Sequence, residues 1–286
     1  LLHLLKVPEG IFPMSLSYLR VTSLGVVAVA LYNGVASLLR ALGDSQSPLY
    51  FLILSCFLNI ALDLLFVLKL QMGVYGVGLA TVISQVFSFV ISAVYAVTRV
   101  SYFRLSRQEW RPNRQIILRC LRLGIPMALQ SALIAVSSMV LQGVVNSFGQ
   151  TVMAAYTVVC KVEQIVQMPY NALGAAITSF AGQNLGAGKV DRVKQGYKVS
   201  WLMVLAFSIA MIPFFFLLGG RTAGCFVKDK DVIAMGARAL QIDCLFYFPL
   251  GMIYVPRSLL NGCGDTRFSL INGTSEVVCR ILFASV

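Results

Sequence analysis

The sequence has few of the side chains that soluble catalytic and metal sites use. Only 12% of its 286 residues are charged, and His3 is its single histidine. The seven cysteines are scattered and include no Cys-x-x-Cys pair. A zinc site, a Ser-His-Asp triad and a disulfide framework therefore lack their parts. Because no interface gathers a set of His, Asp and Glu, we predict that the protein is not an enzyme and needs no organic cofactor.

Apolar residues dominate instead. They make up 58% of the chain, and the mean hydropathy is +0.82, whereas soluble domains are about 45–50% apolar and about 25% charged. This composition predicts an all-α polytopic membrane protein. Eight segments reach the length of about 20 apolar residues that a bilayer-spanning helix needs: residues 13–39, 48–68, 76–98, 120–146, 151–181, 198–219, 233–261 and 268–286.

The net charge of +12 would suggest a nucleic-acid partner in a soluble protein. Here most of the basic residues lie between or at the ends of spans, which indicates topology instead, with the bilayer as partner and no nucleic acid. By the positive-inside rule, the arginine-rich linker 99–119 is cytoplasmic. We predict that it separates residues 1–98, with three spans, from residues 120–286, with five. The arginines of this region are Arg99, Arg104, Arg107, Arg111, Arg114, Arg119 and Arg122.

One carboxylate, Asp63, lies inside the second predicted span. A charged group in the bilayer costs on the order of 2.5–3.5 kcal/mol by insertion scales, so such a group usually faces an interior pathway. Asn59 precedes Asp63 by one helical turn and shares its face, and we expect Thr81 of the third span at the same depth. These oxygens suit a proton or a hard cation such as sodium. A purely structural hydrogen bond between helices is the alternative.

The second half carries further polar residues inside predicted spans. Gln130 lies in the fourth span, and Lys161, Glu163 and Gln167 lie in the fifth. Such groups are not expected to face lipid. They are candidate cavity residues, and mutual neutralisation with bonding between helices is the equally open alternative.

The chain also contains an internal repeat at an offset of 221 residues, which places Gly43 and Asp44 opposite Gly264 and Asp265. Repeats of this kind are common in secondary transporters. Residues 99–221 have no partner within the chain, so we expect a piece of a longer protein. About eight of twelve expected spans would then be present, in two pseudo-symmetric helical lobes.

The sequence resembles the multidrug and toxic compound extrusion (MATE) family along essentially its whole length. The matching motifs, of which GQNLGAG and LNIALD are the most specific, are LLRALGDSQSP, LNIALDLLF, MGVYGVGLATVISQ, LGIPMALQ, VNSFGQTVMAAYT, MPYNALGAAITSFAGQNLGAG and LLNGCGDT.

The resemblance implies export of cationic amphipathic compounds across the bacterial cytoplasmic membrane, driven by inward flow of protons or sodium. It also implies that Asn59, Asp63 and Thr81 bind or relay the coupling ion. We expect a monomer. Two alternatives remain: a related lipid-linked saccharide flippase, whose cavity should contain more cationic residues, and a truncated fragment that transports nothing.

Overall fold

The computed structural model describes residues 12–103 and 113–284, with side chains to residue 282, and every regular element in these ranges is helical. The all-α prediction is thereby confirmed. Residues 12–103 form one compact unit and residues 113–284 form another. The elements, in chain order, are α1 (Phe12–Ala41), α2 (Gln46–Leu64), a π-helical turn (Leu65–Lys69), α3 (Gly73–Arg99), a 3-10 turn (Ser101–Phe103), α4 (Arg114–Asn146), α5 (Gln150–Gly186), α6 (Val190–Gly224), α7 (Lys230–Asp243), a 3-10 turn (Cys244–Phe246), α8 (Tyr247–Cys263) and α9 (Arg267–Ala284).

Each of the eight predicted spans coincides with a helical stretch, if α7 and α8 are taken together. Six of these stretches are long and apolar enough to cross a bilayer. The other two are α5 and α9. Charged and amide side chains interrupt the apolar run of α5, and α9 carries three charged residues within its 18 positions. Such helices need protein neighbours to cover their polar groups. Part of the predicted linker, including Trp110, lies outside the described residues.

The repeat predicted from the sequence is visible in the backbone. Gly43 ends α1 with φ +95°, and Gly264 ends α8 with φ +88°. The amide of Asp44 donates to Leu39 O at 2.9 Å, as the amide of Asp265 donates to Leu260 O at 2.9 Å. This is the Schellman arrangement, which needs a residue in the left-handed region after the helix, and glycine adopts it without steric cost. The two halves therefore share a helix-ending turn as well as a sequence pattern.

Asp44 also stabilises the start of α2. Its carboxylate accepts from the amide of Ser47 at 3.0 Å and from the Tyr95 hydroxyl at 3.0 Å. Partial burial raises the pKa of Asp44, but these hydrogen bonds favour the charged form and bring the pKa below its usual value. The Asp44 side chain thus satisfies one of the amides that the first turn of α2 leaves without a helical partner.

In the second unit, α5 is the central helix and contacts α6, α7 and α8. The buried core lies where these four helices meet, with Tyr170, Val204, Phe215 and Leu240 among its members. The Tyr170 hydroxyl bonds to Ser208 Oγ at 3.0 Å and donates to Tyr247 O at 3.2 Å.

Small residues let α5 and α8 approach closely. Thr178 Oγ1 donates to Ser258 O at 2.8 Å across the crossing. A Cβ built at Gly262 would clash with the Thr178 carbonyl, and one at Gly174 would lie 2.7 Å from Ser258 Oγ. Close packing of small residues is how membrane helices associate. This crossing fixes α8 against α5 and so positions the polar residues that both helices carry.

Candidate ion-coupling site and substrate cavity

In the first unit, α3 packs against both α1 and α2. Ser55 Oγ on α2 donates to Ser84 O on α3 at 2.6 Å. Near the connecting turn, a Cβ built at Gly76 would lie 3.0 Å from Phe66 Cβ. Together these contacts set the register of the antiparallel pair.

That register determines which predicted site residues lie at one level. Thr81 lies about one turn before Ser84 on α3, and Asn59 lies one turn after Ser55 on α2. Thr81 is therefore level with Asn59, and Asp63 lies about one turn nearer the connecting turn. The sequence predicted the same depth for Asp63 and Thr81, but the two residues differ in depth by about one turn. The reason is that α3 begins at Gly73 and α2 continues to Lys69 through a π-helical turn.

Two buried polar atoms on α2 lack a hydrogen-bond partner among the described residues, Asn59 Nδ2 and Asp63 Oδ1. Buried polar groups are normally satisfied, and an unsatisfied one costs about 1–3 kcal/mol. Thr81 Oγ1 donates to Val77 O at 2.9 Å, so its lone pairs remain free to accept. The stretch can thus take up a proton or a cation without breaking an existing hydrogen bond.

The π-helical turn begins at Leu65, two residues after Asp63. It closes α2 and leads into the connection to α3, so it determines how far the helical stretch continues past Asp63.

The second unit contains a polar cavity of about 490 Å³ between α4, α5, α8 and α9. Arg280 on α9 binds Glu276 Oε1 at 2.8 Å and donates to Ser138 Oγ on α4 at 3.0 Å. The Arg257 guanidinium lies over the Tyr254 ring, 4.6 Å from its centroid. The charged and amide groups that line the cavity are Gln142, Glu163, Gln164, Gln167, Arg257, Glu276 and Arg280.

A second cavity of about 460 Å³ adjoins the first and also contacts α7. The two share Tyr156, Glu163 and Arg280, and Asp243 lies in the second. Glu163 makes no ion pair among the described residues. Asp243 likewise makes no ion pair among the described residues, so two unpaired carboxyl groups lie beside cavities large enough for a small organic molecule.

The predicted cavity residues of the second half are in three different environments. Glu163 and Gln167 line the 490 Å³ cavity. Gln130 is buried on α4 and packs against α9, where a Cβ built at Gly273 would clash with its side chain. Lys161 is exposed on α5 and does not line the cavity. These roles remain predictions.

The sequence reasoning missed Arg257, Glu276 and Arg280. The available signal was a charged residue within a mostly apolar segment, the argument that identified Asp63. Among the described residues, no group of three His, Cys, Asp or Glu side chains could hold a metal ion. The Asp63 stretch is a different kind of site, because it combines one carboxylate with amide and hydroxyl groups.

Matches to known family models identify the family to which the chain belongs. A family model described as MatE matches residues 126–286, more than half of the chain. The chain belongs to the MATE family. A second family model, described as Lipid II flippase MurJ, matches residues 12–154.

Individual MATE relatives match along the whole chain. The probable multidrug resistance protein YpnP of Bacillus subtilis is 31% identical over 100% of this chain and 64% of its own length. YoeA of the same organism, also named a probable multidrug resistance protein, is 29% identical over 95% of this chain and 60% of its own length. The chain thus spans about 60% of the length of these relatives.

Solved MATE structures share the fold. A MATE protein in complex with MaD3S superposes with a TM-score of 0.86 at 23% identity, covering 94% of this chain and 60% of the other. A mutant of the Vibrio cholerae MATE transporter VcmN gives a TM-score of 0.88 at 22% identity, with 96% and 62% coverage. The protein is therefore a multi-pass membrane protein with the MATE helical architecture.

Proposed function

We propose that the protein is a secondary active transporter that exports cationic amphipathic compounds across the bacterial cytoplasmic membrane, acting as a monomer, in exchange for protons or sodium. Membership of the MATE family and the names of its multidrug relatives support export. The observation that carries the coupling mechanism is the unsatisfied buried carboxylate oxygen Asp63 Oδ1; Asn59 Nδ2, one turn away, is an unsatisfied amide donor. No enzymatic activity is expected.

In this mechanism Asp63 is the ion-accepting group. Its unsatisfied oxygen can bind an incoming cation, and Asn59 and Thr81 one turn away can accept or relay it. Binding of the ion shifts the equilibrium between two states of the transporter only if the ion binds one state more tightly. The deprotonated carboxylate favours the drug-binding state, and uptake of the ion favours the state that releases drug.

The number of side-chain ligands supports a proton rather than sodium as the coupling ion. Hard metal cations typically take six or more oxygen ligands, and Asp63, Asn59 and Thr81 supply one carboxylate, one amide and one hydroxyl group. A proton needs a single acceptor. The residues present therefore suit a proton, whereas sodium would need further ligands from backbone or water.

Efflux of ethidium from cells that make the protein tests this proposal. We expect wild type to expel the dye under an imposed proton or sodium gradient, and Asp63→Asn to fall to the rate of cells without the protein. Asp191→Asn is the matched control, because the Asp191 side chain is 91% exposed at the start of α6. Equal efflux by wild type and Asp63→Asn, at equal abundance in the membrane, would remove Asp63 from the coupling mechanism.

A lipid-linked saccharide flippase is the second candidate, because of the MurJ match to residues 12–154 and the two arginines in the cavity. Proteoliposomes that contain a fluorescent polyprenyl-linked saccharide distinguish the two functions. Movement of this lipid between leaflets, without ethidium transport, would favour the flippase.

A further inference from the structure

A small apolar groove of about 170 Å³ lies between α5 and α6, apart from the two polar cavities. Its lining residues are Pro169, Tyr170, Leu173, Met203, Val204 and Phe207. Tyr170 and Val204 belong to the buried core, and the Phe207 ring packs edge-on against Tyr170 with 5.3 Å between the ring centroids. Pro169 has no backbone N–H, so α5 lacks one helical hydrogen bond beside the groove.

The groove offers no free hydrogen-bonding side chain. Tyr170 carries the only hydroxyl group among the lining residues, and this hydroxyl is already bonded to Ser208 Oγ and Tyr247 O. Met203 is 55% exposed, so the groove is open on that side of α6. Because hydrophobic contacts are not directional, an occupant needs apolar surface and no polar groups. The acyl chains of the surrounding bilayer have this chemistry.

An exposed stripe of α6 leads from the groove to the cytoplasmic end of the helix. The predicted cytoplasmic linker precedes α4, so α6, two helices later, also begins in the cytoplasm. Arg192, Val199 and Met203 are exposed and lie within about 40° of one another around the helix. Arg192 is about 16 Å from Met203 along the axis. One leaflet with its headgroups is about 20 Å thick, so a single lipid molecule can reach both residues.

The cations at the end of this stripe are available to an anion. Arg192 makes no ion pair among the described residues, whereas Lys194 is bound to Asp191 at 3.4 Å. Lys189 directly precedes α6, is exposed, and lies within about 60° of Arg192 around the axis. Guanidinium and ammonium groups both bind phosphate. The apolar groove and these two cations are therefore complementary to the two ends of an anionic phospholipid.

We propose that the groove binds an acyl chain of an anionic phospholipid from the cytoplasmic leaflet, with the phosphate of that lipid on Arg192 and Lys189. This inference goes beyond drug export and does not depend on it, because lipid binding needs neither an ion gradient nor Asp63. A protein segment that covered the groove instead would exclude lipid from it, whatever the headgroup.

Quenching of tryptophan fluorescence by brominated lipids tests the site. Trp110 and Trp201 are the two tryptophans of the sequence, and both are replaced with phenylalanine. Trp201→Phe keeps an aromatic ring against Tyr197 and Phe248. Met203→Trp then places one indole at the open side of the groove. The protein is reconstituted in vesicles of dibrominated phosphatidylglycerol and unlabelled phosphatidylcholine, and in the reverse mixture. The two quenching curves give the relative affinity for the two lipids at this position.

We expect phosphatidylglycerol to bind at least about fivefold more tightly than phosphatidylcholine, which is the effect of one cation near the membrane surface. Lys189→Gln combined with Arg192→Gln should remove this preference and leave quenching by phosphatidylcholine in place. Lys194→Gln combined with Lys198→Gln is the matched control. It removes the same charge from two exposed positions on the opposite face of α6, so the preference should remain.

Four results would overturn the inference. Weak quenching by both lipids would show that protein covers the groove, and equal affinity for both lipids would show that the phosphate charge is not recognised. An unchanged preference without Lys189 and Arg192 would exclude them as the headgroup site. Equal loss of preference in both double variants would assign the effect to the general charge of the cytoplasmic surface. Mass spectrometry of the lipids that copurify with the unsubstituted chain gives the same comparison without a tryptophan change, and no enrichment of phosphatidylglycerol there would also contradict the proposal.

Discussion

Replacing Gly262 with alanine should loosen the crossing of α5 and α8. A Cβ at this position would lie 3.0 Å from both C and Cα of Thr178 and closer still to its carbonyl oxygen, whereas ordinary contacts begin at 3.4 Å. The obstacle is backbone, which no rotamer change can move aside, so the helices must separate by several tenths of an ångström. Overpacking of this kind costs about 1–3 kcal/mol.

Alanine also gains helix propensity over glycine by about 0.5–1 kcal/mol, which partly hides the clash. Gly220→Ala is the matched control, since Gly220 lies inside α6 and a Cβ there meets nothing within 4 Å. The difference between the two variants isolates the clash. At about 2–4 °C per kcal/mol for a unit of this size, Gly262→Ala should melt about 2–12 °C below Gly220→Ala.

The assay is the loss of the monodisperse size-exclusion peak after heating in detergent. A graded series strengthens it. Gly182→Ala should be milder than Gly262→Ala, because its Cβ would lie 3.3 Å from Gly262 O. Equal melting of Gly262→Ala and Gly220→Ala would refute the argument that backbone contact sets this crossing.

Two further predictions concern hydrogen bonds in each unit. Asp44→Asn should destabilise the protein at neutral pH. Since the folded-state pKa of Asp44 is lowered, the stability difference from wild type should shrink as pH falls below about 4, where the unfolded carboxyl group protonates. Melting curves across pH measure this difference, and a difference that grows toward low pH would contradict the prediction. Tyr170→Phe should lower the free energy of unfolding by about 1–2 kcal/mol, because the hydrogen bonds of the buried hydroxyl to Ser208 Oγ and Tyr247 O are lost. A melting temperature equal to that of wild type would show that these two hydrogen bonds do not stabilise the protein.

The turn glycines and the level of Thr81 show where reasoning from the sequence succeeds and where it fails. Gly43 and Gly264 were recognisable as equivalent because a helix-ending turn is local and needs glycine at one position. The level of Thr81 relative to Asp63 was misplaced because it depends on how far α2 continues and where α3 begins. Those boundaries were the least certain part of the pattern.

The polar residues around the second-unit cavity show the same difference between what is local in the sequence and what depends on helix packing. Lys161 and Glu163 are neighbours in the sequence, but two residues are about 200° apart on a helix, so Glu163 faces the cavity and Lys161 lies exposed. Periodicity alone did not indicate which of these faces would be inward, because each helix of the second unit has several polar positions.

Local chemistry was enough to predict the membrane class, the eight helical stretches, the repeat and the cost of placing Asp63 inside a span. These follow from hydropathy and helical period, which act within one segment. Tertiary packing alone brought Arg257 and Arg280 from α8 and α9 to the cavity that Glu163 lines. Which charge finds a partner and which stays available depends on the approach of helices that are far apart in the chain, and that approach is set by small residues such as Gly262 at the crossing.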